Sequence, residues 1–114
     1  GMARLKNLPQ ERPLPLASLI EARENQVLSM ALAQSDRVQI SLFSFADGES
    51  VSEEEYFGDT LYLILQGEAV ITFDDQKIDL VPEDVLMVPA HKIHAIAGKG
   101  RFKMLQITLI DEER

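Results

Sequence analysis

Few residues in this sequence could carry out chemistry. There are two histidines, His91 and His94, and no cysteine. Lack of cysteine removes thiolate nucleophiles, thiolate zinc sites and disulfides. Two histidines, and no serine in a nucleophile-elbow pattern, leave a hydrolase triad with almost nothing to be built from. What remains is the stretch EEEYFGDTLYLILQG, Glu53 to Gly67, and His94 in the apolar run HAIA. Successive strand side chains point to opposite faces, so Glu54 and Tyr56 share one face while Glu53 and Glu55 share the other. A carboxylate turned inward could bind a ligand or move a proton, whereas one turned outward is a solvated turn. A lone histidine in an apolar strand is in most folds a hydrogen-bonded core residue.

The elements that must position these groups are strands. Residues 2–15 carry Pro9, Pro13 and Pro15 among polar residues, which suits an extended arm. SLIE, Ser18 to Glu21, has capping-box spacing and predicts one short helix with Leu16, Leu19 and Ile20 on one face. From Gln26 the texture changes to VLSMALA, RVQISLFSF, LYLILQG, EAVITF, KIDL, VLMV, HAIA and RFKMLQITLI. Turn signals separate them at Gln34-Ser35-Asp36, Asp47-Gly48, Asp74-Asp75, Pro82-Glu83-Asp84 and Gly98-Lys99-Gly100. Eight or nine short strands on tight turns predict an all-β sandwich or barrel. No Gly-rich phosphate loop and no helix–strand alternation point to a nucleotide fold.

With 114 residues and 46% hydrophobic content, the chain can bury a core as one domain. Residues 1–25 form the expected arm and short helix, and 26–114 the β domain. Gly1 before Met2 looks like the remnant of an expression tag. Net charge is −8, with eleven scattered Lys and Arg. A nucleic-acid backbone would be repelled and a polybasic membrane footprint is missing, so neither partner is expected. The longest uninterrupted apolar run is Leu61 to Leu65, far short of a membrane span, and no signal peptide is evident, so the expected compartment is the cytoplasm.

Gly48, Glu54-x-Tyr56, Thr60 and Gly67 stand at the intervals of the first signature motif of the cupin superfamily. Asp84, Pro89 and His94 stand at those of the second. The chain resembles that family over about residues 38–110, with EAVITFDDQKIDL as the hairpin between motifs. The resemblance implies a cupin-type jelly-roll β-barrel. The family's usual metal site takes His, His and Glu from the first motif and His from the second. Here those positions hold Glu54, Tyr56, Thr60 and His94. Glu83 and His91 also stand where the second motif has glycine.

The resemblance implies that Glu54, Tyr56, Thr60, Tyr62 and His94 face a cavity that binds a small polar molecule. It leaves His94 and Glu54 as the candidate ligands of a weakly bound divalent transition metal. The alternative is a small isomerase, epimerase or dioxygenase type of enzyme that uses them as metal ligands or as an acid–base pair. Thr60, Tyr62 and Ile64 would face inward. Leu61, Leu63 and Leu65 would then need a cover, from the arm, another strand or a second subunit, and a homodimer is expected.

Overall fold

Runs rich in β-branched and aromatic residues fold as seven strands in the computed structural model, which describes residues 4–110. They are β1 (Val27–Gln34), β2 (Val38–Phe45), β3 (Ser50–Glu54), β4 (Thr60–Phe73), β5 (Gln76–Leu80), β6 (Val85–Val88) and β7 (His94–Leu109). All pairings are antiparallel, in the order β1-β2-β7-β4-β5, with β3 on β7 and β6 on β4.

Two of these strands are long. LYLILQG and EAVITF join into the 14-residue β4, and HAIA and RFKMLQITLI join into the 16-residue β7. The glycines that read as turns between them are bends within a continuous ladder. Gly67 and Gly100 hold φ of 74° and 86°, and the β4–β7 register shifts between Ile64 and Gln66 and again between Gly67 and Ala69. The bend folds the sheet into two halves. Before it, β4 pairs with β6 and the end of β7; after it, β4 pairs with β5 and the start of β7. The Asp74-Asp75 turn is as expected, with both residues at positive φ.

The expected closed barrel does not form. Among the described residues no ladder joins β1 to β5, so the sheet is open. A physical reason lies at the free edge of β1, which the arm occupies. Lys6 N–H donates to Leu32 O at 2.8 Å and the Asn7 amide to Ala31 O at 2.7 Å. The expected N-terminal helix is likewise replaced by a four-residue 3-10 turn, Leu16–Leu19. Its N-cap is Pro15 with no side-chain cap, and Ser18 Oγ bonds back to Pro15 O at 2.6 Å instead of starting a helix. The turn is held by the Lys103 ammonium, which donates to Ala17 O and Ile20 O at 2.9 and 2.6 Å.

Two apolar clusters result. Between the halves lie Phe45, Ile64, Ile71, Ile96, Phe102 and Met104, with Phe45 and Phe102 stacked at 4.5 Å. Outside, the arm lays Leu8, Leu16, Leu19 and Ile20 over Leu42, Leu65 and Leu105. Of the outer Leu row, the arm therefore covers Leu65 and leaves Leu61 and Leu63.

Gly67 is the tightest test of the bend. A Cβ there would lie 2.1 Å from Arg101 O and 2.9 Å from Phe102 Cα, while at Gly48, φ 84°, it would meet nothing. Gly48→Ala thus carries only the left-handed penalty, about 1 kcal/mol. Gly67→Ala adds a backbone collision and is expected to cost more than about 2 kcal/mol. Urea denaturation of the two variants gives the comparison, and equal losses would show that the bend tolerates a side chain.

Candidate functional site

Polarity is inverted in the half of the sheet that precedes the bend. On β4, Thr60 and Tyr62 are 1% exposed and point inward with Ile64, while Leu61 and Leu63 point outward. On β7, Gln106 and Thr108 are buried and Leu105 and Ile107 lie outside. On β2, Gln39 and Ser41 pair with Thr108 and Gln106, so they share the inner face, and Val38, Ile40 and Leu42 share the outer one. Past the bend the interior is apolar again, with Ala69, Ile71, Leu80 and Ile96.

Register makes the inward polar residues into a network. Thr60 is paired with Thr108 and Tyr62 with Gln106. Thr60 and Thr108 hydroxyls meet at 3.1 Å, and Gln106 Nε2 donates to Thr108 Oγ1 at 3.1 Å. Tyr62 reaches across the interior to His94, with its hydroxyl 2.8 Å from Nε2. His94 Nδ1 lies 2.8 Å from Lys92 O. A carbonyl only accepts, so Nδ1 carries the proton and Nε2 accepts from the Tyr62 hydroxyl. His94 is 3% exposed and both nitrogens are engaged. No buried side-chain N or O among the described residues lacks a partner.

Glu54 is the cross-strand partner of His94 and is half-buried, with Glu53 and Glu55 exposed. No ion pair joins Glu54 to His94 among the described residues, and Glu54 connects to the network through Tyr56. The Tyr56 phenol is pushed up from its ordinary value, first by burial and then by the charge and hydrogen bond of Glu54, against the opposing hydrogen bonds of Gln106 and Tyr62. Tyr62 is pushed up further, by burial first and then by Tyr56 and Glu54. Tyr56 sits on the segment between β3 and β4, which is tied down at three points. His91 N–H donates to Tyr56 O at 2.7 Å, Ala90 N–H to Asp59 Oδ1 at 2.9 Å, and Leu109 N–H to Asp59 O at 3.0 Å. His91 and Glu83, at the two glycine positions of the second motif, keep left-handed φ values of 65° and 76°.

A cavity of about 100 Å3 opens beside the network, lined by Gln39, Ser41, Phe43, Tyr56, Gln106 and Thr108. Of the five residues expected to face a ligand, Tyr56 lines it directly. Thr60, Tyr62 and His94 stand behind the wall, and Glu54 acts on it through Tyr56. Gln39 and Ser41 escaped the sequence reading, although the alternation in VQISLFSF already sets them in phase together. Larger concavities lie on the outer surface, away from this chemistry.

The donor set does not fit the family's four-ligand metal site. His94 Nε2 accepts from Tyr62, Thr60 is bonded to Thr108, and the Tyr56 phenol is held away from ionisation. Among the described residues no three or more His, Cys, Asp or Glu gather to hold a metal ion. No helix among them is long and apolar enough to cross a membrane.

No protein-family model matches the sequence, and no curated protein matches it. Solved structures do. The conserved SPY1581 protein of unknown function from Streptococcus pyogenes is 27% identical with a TM-score of 0.91, over 98% of each chain. A cupin 2 conserved barrel domain protein from Leptotrichia buccalis is 23% identical with a TM-score of 0.83, over 94% of this chain and 56% of that one. An RmlC-like cupin protein from Desulfovibrio desulfuricans is 18% identical with a TM-score of 0.75, over 89% of this chain and 98% of that one.

The sequence has two tyrosines and no tryptophan, and both tyrosines belong to this site. Phenolate absorbance during alkaline titration therefore reads the site alone. Both phenols are expected to ionise above the ordinary value of about 10 while the chain is folded. The unfolded chain loses these protons near that value, so stability is intact below it and falls as pH rises past it. Tyr62→Phe should remove its share of that alkaline loss. At neutral pH it should cost about 1–3 kcal/mol, because it leaves His94 Nε2 unpaired. Phenolate appearing near the ordinary value in folded protein would refute the buried network.

Proposed function

The chain has the cupin-type fold, and from that premise we propose that it is a binding module for a small, uncharged polar molecule held in the cavity that Tyr56 and the inner face of β2 and β7 enclose. The observation that carries this reading is the inverted polarity of the site half. Five neutral hydrogen-bonding side chains, Gln39, Ser41, Tyr56, Gln106 and Thr108, line one small space with Phe43. No lysine or arginine lines it, and the carboxylate coupled to it is Glu54, so an anion would find no counter-charge. Tyr62 and His94 are the second layer that fixes the wall. The alternative of acid–base catalysis by Glu54 and His94 is disfavoured by the engagement of both imidazole nitrogens.

A screen of small hydroxylated and amide compounds by NMR should find ligands that shift the Gln106 and Ser41 signals. Gln106→Leu should abolish their binding with the fold intact. Turnover of a bound compound that is lost in His94→Ala would sink the binding reading in favour of an enzyme. The proposal also expects less than stoichiometric transition metal in protein purified without chelator. About one metal per chain, absent from His94→Ala, would overturn that part and make Glu54 the second candidate ligand.

We also propose a homodimer. Beyond the arm, the outer face keeps Val85, Met87 and Leu109 at 57, 55 and 50% exposed, beside Leu61, Leu63 and Ile107. Light scattering at micromolar concentration should give twice the chain mass, and Met87→Glu should shift it to the monomer. A monomeric parent protein would refute this interface.

A further inference from the structure

A second polar site lies on the outer face, independent of the inner cavity. Where the arm leaves the sheet, a crevice of about 260 Å3 is lined by Ser44, Gln66, Arg101 and Lys103, with Ala22 and Gly67 beside them. Ser44 is 1% exposed, and its hydroxyl has no partner among the described residues. No sealed side-chain polar atom is left unpaired, so the small exposure that Ser44 retains is at this crevice. The Arg101 guanidinium makes no hydrogen bond or ion pair among the described residues. Lys103 spends two of its three ammonium protons on Ala17 O and Ile20 O. Register brings these groups together, since Lys103 is paired with both Ser44 and Gln66.

The crevice thus offers a guanidinium, an ammonium proton, a hydroxyl and an amide, and no carboxylate lines it. Glu24 and Asp47 line the neighbouring concavity that shares Arg101, and neither pairs with it. In a chain of net charge −8 two cations thus stand together, with the guanidinium and one ammonium proton unspent. We propose that the crevice binds a small tetrahedral oxyanion, with the Arg101 fork and Lys103 on its charge and Ser44 donating to one oxygen. The ion is either inorganic phosphate or the phosphate group of a larger molecule.

The test is an NMR titration of the full chain with inorganic phosphate, and in parallel with a phosphate monoester, against chloride at matched ionic strength. Saturable shifts centred on the Ser44, Gln66 and Arg101 amides are expected. Arg101→Ala should abolish saturation, and Ser44→Ala should weaken it about tenfold, the worth of one charge-assisted hydrogen bond. Ser44→Ala breaks no bond within the protein, so its melting temperature without phosphate should match or exceed the parent's, while phosphate should raise it less. Saturation by both compounds assigns the site to the free ion, and saturation by the monoester alone assigns it to an organic phosphate. Shifts no larger than those with chloride, or saturation that survives Arg101→Ala, would overturn the proposal.

Discussion

The antiparallel pairing of β4 with β7 is the constraint on which everything else depends. Its register sets Thr60 against Thr108 and Tyr62 against Gln106. Those cross-strand pairs are the polar interior. A slip by one residue would send Leu61, Leu63, Leu105 and Ile107 inward and turn the hydroxyls and the amide outward. The cavity wall would then be hydrocarbon, and His94 would lose the phenol that satisfies Nε2. The same ladder, bent at Gly67, brings β7's beginning over its end, so that Tyr62 and His94 meet across the interior.

Burying this much polar surface is stable only when every group is answered. The network achieves it with neutral residues, by fixing one tautomer of His94 between a carbonyl and a hydroxyl. That arrangement takes the nitrogen that a metal would otherwise use. It also explains how three of the four usual ligand positions can hold other residues while the backbone persists. Even Glu83 and His91, at positions where the motif has glycine, adopt a left-handed backbone.

Much of this was legible in the sequence. Alternation put Thr60, Tyr62 and Ile64 on one face and the Leu row on the other, the family resemblance named the first as inward, and Asp74-Asp75 announced its turn. The failures have a common cause. Glycine signals a turn and a bend with the same residue, so Gly67 and Gly98-Lys99-Gly100 read as strand ends although the ladder runs through them. SLIE has the spacing of a helix start, but only tertiary packing decides whether four residues continue or flatten onto a sheet. Gln39 and Ser41 were hidden for another reason. Alternation gives two faces without saying which is inside, and a strand with its apolar face outward is recognisable only once the arm covering it is known.

The central strand of the sheet is also the last to be made. β7 pairs with β2, β3 and β4, which are synthesised before it, and its partners lie up to dozens of residues upstream. During translation the hairpins β1–β2 and β4–β5 form from neighbouring residues, yet the interior between them has no middle until His94 to Leu109 leave the ribosome. The apolar faces of β2 and β4 therefore wait, exposed, for β7. The cavity and the core are thus completed by the same strand.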